Sequence, residues 1–309
     1  MIVLAWAMLA FMIGLLLGLS FYIITGNIIY KSIFSRNSKI KKQIEKKKNS
    51  DEEIAFWDKN NFIDVSIQSY DNLKLFGKYL NNGSSHIALL VHGYGGNYCD
   101  MMKYASIFLK QGFDILAVDN RAHGKSEGDT VGMGWVDRCD ITKWCEFLTT
   151  QNCNYKVVLF GQSMGASAVC MASAEKNNCN IVAIIEDCGF DNTYRQVCHL
   201  YKKTKLHSKL FLDIFVSYAN RRNGYDMKQA DCIKQLKKSC LPIFIIHGGE
   251  DDFVPTEMAY NIYNSLDDNR KQLYIVSGAK HTESYDVNEK KYIRKINEFL
   301  DKYNIKAKH

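Results

Sequence analysis

Short apolar runs alternate with longer amphipathic segments from about residue 54 to the end of the 309-residue chain. The runs are rich in β-branched and aliphatic residues, which is typical of buried strands, whereas apolar positions at helical spacing recur between them. This alternation predicts a parallel sheet flanked by helices. The eight predicted strands are 63–69, 73–80, 87–91, 115–118, 157–160, 181–185, 243–246 and 273–276.

One interval, 188–240, interrupts this alternation between the sixth and seventh predicted strands. It carries no strand pattern, and its apolar positions follow helical spacing instead. These positions are Leu210, Phe211, Ile214, Phe215 and Tyr218. A helical insertion is therefore predicted here. Its eleven Lys and Arg residues against four Asp give it a net charge of +7, which fits either a solvated face or a surface directed at an anionic membrane or substrate.

The amino-terminal segment has a different pattern. Residues 2–24 carry no charge and exceed the roughly 20 residues that a helix needs to cross a bilayer. No basic residue precedes them, which favours an anchor over the alternatives of a cleaved signal peptide or a buried core helix. Eight basic residues against one acidic residue follow in 31–48, and such residues stay on the cytoplasmic side.

These features predict a single-pass membrane protein with a transmembrane anchor at 1–30, a solvated basic linker at 31–55 and a cytoplasmic domain at 56–309. The whole chain has 40 Lys and Arg against 33 Asp and Glu. The basic segment alone accounts for this excess of +7, so a nucleic-acid-binding surface is not predicted. The ten cysteines show no CxxC pair and no metal-ligand spacing with histidine, so we expect free thiols and no metal site.

The strongest chemical signal is GQSMG at 161–165, which lies directly after a predicted strand and before a helical stretch. A sharp strand-to-helix turn exposes its serine as a nucleophile, and the flanking glycines remove clashes that a Cβ would cause. We interpret Ser163 as the nucleophile. A tight turn without chemistry is the alternative.

A serine hydroxyl needs a general base and an acid that orients the base. On this type of sheet the chain order is serine, acid, histidine, and His281 follows the last predicted strand. The loop after the preceding strand supplies Asp251 as the predicted acid. Asp252 is one residue away, and Asp187, at the end of the sixth predicted strand, is a third candidate.

The glycine-rich loop 92–97 follows the third predicted strand. Its backbone can turn an amide toward Ser163, so we predict an oxyanion hole formed by the amides of Tyr94 and Met164. A phosphate-binding loop is the alternative, but neither GxGxxG nor GxxxxGK[ST] is present.

Taken together, several motifs resemble the α/β-hydrolase superfamily over residues 60–305, and more narrowly its serine aminopeptidase and esterase-like branch, among bacterial hydrolases with one amino-terminal membrane helix. The motifs are HGYGGN at 92–97, DNRAHGKSEG at 119–128, GQSMG at 161–165, HGGEDDFVP at 247–255 and His281. The resemblance implies a mostly parallel eight-stranded sheet, a helical cap after the sixth strand and no cofactor. One departure is Ala122, where relatives usually have glycine.

A serine hydrolase acting on an ester or thioester is the predicted function. The membrane anchor and the basic insert favour acyl or lipid substrates near the bilayer. A serine aminopeptidase or other peptidase is the alternative, because a fold does not specify its substrate. A non-catalytic membrane-bound binding protein is a second alternative. The expected partners are a small acyl or peptide substrate and the bilayer.

Overall fold

A computed structural model of the chain describes residues 2–45, 50–176, 179–204 and 208–307. Within these residues, the sheet has eight strands, and every predicted strand overlaps one of them. The strands are β1 (Ile63–Gln68), β2 (Lys74–Leu80), β3 (His86–Val91), β4 (Asp114–Val118), β5 (Lys156–Gln162), β6 (Asn180–Asp187), β7 (Ile243–Gly248) and β8 (Lys271–Val276).

The strand order is β1-β2-β4-β3-β5-β6-β7-β8. Strand β2 runs antiparallel to both β1 and β4, and the remaining neighbours are parallel. The predicted mostly parallel sheet is therefore confirmed. All residues of β3, β4 and β7 are buried, as expected for strands covered by helices on both faces.

The helices cover the sheet on both faces. They are α1 (Ile2–Phe34), α2 (Lys39–Glu45), α3 (Asp51–Lys59), α4 (Met102–Lys110), α5 (Asp137–Gln151), α6 (Met164–Ala172), α7 (Thr193–Lys202), α8 (Lys209–Asn223), α9 (Cys232–Leu236), α10 (Thr256–Asn264), α11 (Ser284–Val287) and α12 (Glu289–Lys302). One core lies between the sheet and a layer that includes α5, α6 and α10, and the other lies beneath α3, α4 and α12.

The interval between β6 and β7 is helical, as predicted. Helices α7, α8 and α9 form it, and we call this insertion the cap; the Gln196 side chain of α7 donates a hydrogen bond to the Phe253 carbonyl oxygen in the loop that follows β7. Residues 205–207, between α7 and α8, lie outside the described residues. The α8 side chains Phe215 and Ala219 are buried, so this helix is held by packing on one face.

Helix α1 has 33 residues and is about 50 Å long at 1.5 Å per residue. Among the described residues, it is the one helix long and apolar enough to cross a membrane, and its most apolar 18-residue window is 0% buried. Its buried residues, Gly26, Tyr30 and Phe34, lie four residues apart at its carboxyl-terminal end. One face of the last turns therefore packs against the rest of the protein, and the preceding turns are exposed.

The partner of this buried face is α8 in the cap. The Tyr30 hydroxyl donates a hydrogen bond to Asn223 Oδ1 at 2.6 Å, and the ring of Phe34 lies 6.3 Å from that of Phe215. A Cβ placed on Gly26 would lie 2.5 Å from Tyr218 Cγ. The two helices therefore approach so closely that only glycine fits at this crossing.

The structure differs from the predicted division into an anchor at 1–30 and a solvated linker at 31–55. Helix α1 continues to Phe34 without a break. Beyond it, the Arg36 guanidinium donates hydrogen bonds to the carbonyl oxygens of Ser126 at 2.5 Å and Gly124 at 2.9 Å.

The basic composition of the predicted linker does not keep all of it in solvent. Lys41 is 2% exposed and Ser38 is buried as well, and α3, which spans much of the rest, begins with a capping box between Ser50 and Glu53. Residues 46–49 of the predicted linker lie outside the described residues. The first part of the segment is thus part of the folded domain, because partners distant in the chain cover it.

Replacing Gly26 with leucine should destabilise the protein by about 1–3 kcal/mol, the usual cost of forcing a side chain into a packed interface. The matched control is Gly18→Leu, since a Cβ on Gly18 meets no atom within 4 Å. Thermal unfolding of the detergent-solubilised chain measures both variants. Equal midpoints for the two variants would show that the contact between α1 and α8 does not contribute to stability.

Candidate active site

Ser163 occupies a sharp turn between β5 and α6. Its backbone has φ 54° and ψ −119°, a conformation that side-chain-bearing residues rarely adopt and that is typical of functional sites. A Cβ on Gly161 would overlap the Gly165 carbonyl oxygen, and a Cβ on Gly165 would overlap that of Val91. Both glycines of GQSMG are therefore required for the turn that presents Ser163.

The structure brings together the three predicted side chains from three separate loops. Ser163 Oγ lies 2.8 Å from His281 Nε2, and His281 Nδ1 lies 2.7 Å from Asp251 Oδ2. The Asp251 side chain is 0% exposed and that of His281 is 19% exposed. The imidazole is thus placed to accept the serine proton at one nitrogen while its other nitrogen donates to a buried carboxylate.

The carboxylate of Asp251 is held by its own loop. Its Oδ1 accepts hydrogen bonds from the backbone amides of Phe253 at 3.0 Å and Val254 at 2.9 Å, and His247 Nε2 lies 3.3 Å from Oδ2. Burial raises the pKa of Asp251, but hydrogen bonds from His247 and His281 outweigh burial and hold this pKa well below its usual range. The side chain therefore stays ionised opposite His281.

The other two candidate acids lie elsewhere. The Asp252 side chain is 88% exposed and pairs with Lys203 at 3.0 Å. Asp187 accepts a hydrogen bond from the Tyr292 hydroxyl at 2.8 Å, and burial raises its pKa to about 6. Among the three acids considered, Asp251 is the one within hydrogen-bond distance of His281.

The glycine-rich loop after β3 lies beside the serine. A Cβ on Gly93 would lie 3.2 Å from Ser163 Cβ, so the loop backbone approaches the nucleophile closely. The Tyr94 hydroxyl donates a hydrogen bond to the Ile33 carbonyl oxygen at 2.7 Å, which links this loop to the end of α1. Donation by the amides of Tyr94 and Met164 to an oxyanion stays a prediction.

Two residues of the 119–128 motif, His123 and Asp119, accept hydrogen bonds from backbone amides in this loop or next to it. The Gly95 amide donates to His123 Nε2 at 3.0 Å, and burial lowers the pKa of His123 well below its usual range, so its imidazole stays neutral and accepts this hydrogen bond. Asp119 Oδ1 accepts a hydrogen bond from the Tyr98 amide at 2.8 Å. Ala122 has φ 60°, a backbone region that glycine enters without steric cost. The alanine at this position, where relatives usually have glycine, therefore adopts a backbone conformation that favours glycine.

A buried pair beneath the site was not recognised from the sequence. Glu186 and His247 are both 0% exposed, and among the described residues neither Glu186 Oε1 nor His247 Nδ1 has a hydrogen-bond partner. Burial raises the pKa of Glu186 to about 8, although the nearby His247 opposes this shift. The charged residue at the end of the apolar run IVAIIED is the signal that could have indicated the pair.

The raised pKa of Glu186 predicts a pH-dependent stability. A carboxyl group that binds its proton more tightly in the folded chain makes the folded state less stable as the pH rises from the unfolded pKa of about 4.3 toward 8. Glu186→Gln removes this titration. Its free energy of unfolding should therefore gain on the parent chain by at most about 1.4 kcal/mol per pH unit in this window.

Denaturant unfolding between pH 5 and pH 8 measures this difference. The matched control is Glu52→Gln, because Glu52 is an exposed residue of α3, and this variant should follow the parent at every pH. Parallel pH profiles for the parent and Glu186→Gln would refute the interpretation that Glu186 is protonated in the folded protein.

Comparison with known sequences gives a match to one family model and two similar proteins. The sequence model of the family described as serine aminopeptidase, S33, matches residues 84–216. The uncharacterized protein YqkD of Bacillus subtilis (strain 168) is 28% identical over 218 residues, which cover 70% of this chain and 71% of the relative. The uncharacterized protein YfhR of Escherichia coli (strain K12) is 22% identical over 231 residues, which cover 72% and 74% of the two chains.

Solved structures share the fold. The Pyrococcus furiosus esterase Pf2001 superimposes with a TM-score of 0.65 at 23% identity, covering 79% of this chain and 91% of that structure. The esterase EaEST of Exiguobacterium antarcticum gives 0.59 at 19% identity, covering 77% and 100%. Together with the family match and the capped eight-stranded sheet, these similarities place the chain in the α/β-hydrolase superfamily. It is an α/β hydrolase preceded by one helix that is long and apolar enough to span a membrane.

Proposed function

We propose that the protein is a serine hydrolase that cleaves a carboxylic ester or thioester. The observation that carries this proposal is the hydrogen-bonded series Ser163–His281–Asp251 on a strained turn. Each group has a partner suited to its role: the serine lies against a base, and the base lies against a buried carboxylate.

The reaction proceeds in two steps. Ser163 Oγ attacks the carbonyl carbon while His281 Nε2 takes its proton, and the amides of Tyr94 and Met164 stabilise the oxyanion. Collapse expels the alcohol or thiol, which takes the proton from His281 and leaves an acyl-serine. Water, deprotonated by His281, then releases the carboxylic acid and regenerates Ser163. Asp251 stabilises the imidazolium in both steps.

Two observations bear on the bond that is cleaved. The structural relatives named above are described as esterases, which supports ester hydrolysis. The matching family is described as a serine aminopeptidase, which supports peptide hydrolysis as the second candidate function. Both reactions use the same acyl-enzyme chemistry, so the leaving group alone distinguishes them.

We further propose that α1 crosses the membrane once and that the hydrolase domain faces the cytoplasm. The basic residues that follow the apolar stretch support this orientation. They include Lys31 in the last turn of α1 and Lys39, Lys41 and Lys42 in α2.

Hydrolysis of a p-nitrophenyl ester series from acetate to palmitate by the full chain in detergent micelles tests the function. Aminoacyl p-nitroanilides tested in parallel separate esterase from aminopeptidase activity. We expect turnover of esters that depends on Ser163 and weak or no turnover of anilides. If neither series is cleaved and a fluorophosphonate fails to label Ser163, the proposed chemistry is wrong.

A further inference from the structure

Cap helix α8 begins beside the apolar part of α1. The ring of Phe211, in the first turn of α8, lies 6.1 Å from that of Phe21, which belongs to the uncharged stretch 2–24. Farther along, the Tyr22 hydroxyl lies 3.2 Å from Ser217 Oγ. The first turn of α8 therefore lies beside the last apolar turns of α1, whereas Phe215, one turn farther along α8, packs against Phe34 at the docked end.

The side chains at this end of α8 suit a lipid surface. Leu210 is 60% exposed, and Phe211 and Ile214 are only half-buried, so an apolar edge projects beside α1. Lys209 and Lys202 are exposed around it, with Lys209 paired to Asp213 within the same helix. Apolar side chains flanked by cations are typical of segments that lie in a membrane interface.

The carboxyl-terminal end of α8 also has side chains that are typical of a membrane interface. The Arg221 guanidinium lies 6.0 Å from the centre of the Tyr22 ring, and that of Arg222 lies 5.3 Å from the centre of the Tyr30 ring. Tyrosines concentrate where a membrane helix leaves the hydrocarbon, and nearby arginines interact favourably with anionic headgroups. The cap residues 188–240 have a net charge of +7, which complements an anionic leaflet.

We propose that the amino-terminal end of α8, around Leu210 and Phe211, lies in the headgroup region of the bilayer that α1 crosses, so that the cap is a second membrane contact. This inference rests on the proposed membrane placement of α1. Lipid is the proposed partner of this surface because α8 already packs against a helix whose neighbouring turns are exposed and apolar.

The placement also defines the substrate class for the proposed hydrolase. The Ile33 carbonyl that receives the Tyr94 hydroxyl is nine residues, or about 14 Å, beyond Ile24 along the helix. On the cap side, α7 reaches the site through a hydrogen bond from Gln196 to the Phe253 carbonyl. The Phe253 ring lies 4.8 Å from that of His281. The site is thus bordered by the end of α1 and by a cap that contacts the bilayer. Such a site fits a substrate that is an amphiphile with an acyl chain and that enters from the same leaflet.

Depth-dependent fluorescence quenching tests the membrane contact in the full chain. The exposed Cys153 and Cys240 are first replaced with serine, and the background label of this parent is subtracted. Single cysteines are then introduced as Leu210→Cys, Leu16→Cys and Ile63→Cys, labelled with a polarity-sensitive fluorophore and reconstituted into phosphatidylcholine–phosphatidylglycerol vesicles. All three positions are exposed side chains, so their substitution should preserve the fold.

Leu16, in the middle of α1, reports the bilayer interior, and Ile63 reports the amino-terminal edge of the sheet, opposite the site. We expect a nitroxide near the lipid headgroup to quench most of the fluorescence at position 210 and little of it at position 63. A label at 210 that is as unquenched as the one at 63, while the label at 16 is quenched by a deep nitroxide, would overturn the inference alone. An unquenched label at 16 would overturn the membrane placement of α1 as well.

The substrate class is tested on the same vesicles. The parent should hydrolyse a long-chain acyl ester that is embedded in the vesicles faster than Leu210→Glu does, and both should cleave soluble p-nitrophenyl acetate equally. If the parent and Leu210→Glu hydrolyse the embedded ester at the same rate, the proposed role of α8 in substrate access is wrong. Loss of all activity in the parent would instead contradict the proposed function.

Discussion

Ser163→Ala should reduce ester hydrolysis by on the order of 10⁶-fold, because removing the nucleophile of a serine hydrolase leaves only binding and the oxyanion hole. The variant should fold normally. Ser163 already carries a Cβ at φ 54°, so alanine meets the same backbone strain. The hydroxyl that is lost forms its hydrogen bond with His281, whose side chain is partly exposed, and not with the core. Turnover of the best ester by the full chain in detergent measures the effect.

The matched control is Ser173→Ala at the end of α6. Its hydroxyl donates to the Cys170 carbonyl oxygen within the same helix and has no part in the proposed chemistry, so activity should stay within a factor of a few of the parent. Covalent labelling by a fluorophosphonate should disappear in Ser163→Ala and persist in Ser173→Ala. A labelled, active Ser163→Ala enzyme would refute the assignment of the nucleophile.

Asp251→Asn should lower kcat by about 10⁴-fold, the effect of the same change in a serine protease triad. The carboxylate oxygen 2.7 Å from His281 Nδ1 would become an amide nitrogen, which cannot accept the imidazole proton and favours the wrong tautomer. The fold should persist, since the amide oxygen can take the place of Oδ1 and accept hydrogen bonds from the amides of Phe253 and Val254.

Asp252→Asn is the matched control for this change. It alters the adjacent residue by the same atoms, but the Asp252 side chain is 88% exposed and faces Lys203. Its kcat should therefore equal that of the parent, and the KM should be unchanged. Inactivation by Asp252→Asn, with an active Asp251→Asn, would move the acid by one residue and would contradict the geometry of the structure.

The sheet was predictable because its central strands are apolar on both faces, which leaves short, distinct runs in the sequence. All residues of β3 are buried, and the run was visible without knowledge of its neighbours. The serine turn was predictable for a similar reason. A Cβ on Gly161 would overlap the Gly165 carbonyl oxygen within the turn itself, so this requirement is visible in adjacent residues. The requirement for Gly165 comes from the Val91 carbonyl oxygen, which is distant in the chain, and so depends on the fold.

The choice between Asp251 and Asp252 was open in the sequence because it depends on the course of a loop. The structure distinguishes them through two backbone amides that turn toward Oδ1 of Asp251. The buried pair of Glu186 and His247 escaped notice because a charged residue at a strand end is usually solvated, and its burial depends on the helices that cover the sheet.

The docking of α1 was the main feature that sequence patterns did not reveal. Hydropathy identified an apolar helix, but the hydrogen bond from Tyr30 to Asn223 joins residues 193 positions apart. Periodicity describes which face of a helix is apolar, and in α1 all faces are apolar over most of its length. The contact face is marked only by small and aromatic residues, whose role becomes apparent once α8 is in place.

An anchor joined to an enzyme through a flexible tether is interchangeable, because any sufficiently apolar helix serves the same purpose. Helix α1 is different: its face with Gly26, Tyr30 and Phe34 completes the packing of the cap. Transplanting the hydrolase domain onto an unrelated apolar helix would leave the apolar face of α8 uncovered. The two ends of α1 should thus differ in their tolerance of mutation, with the first turns free to exchange one apolar residue for another and the last three turns constrained as tightly as an enzyme core.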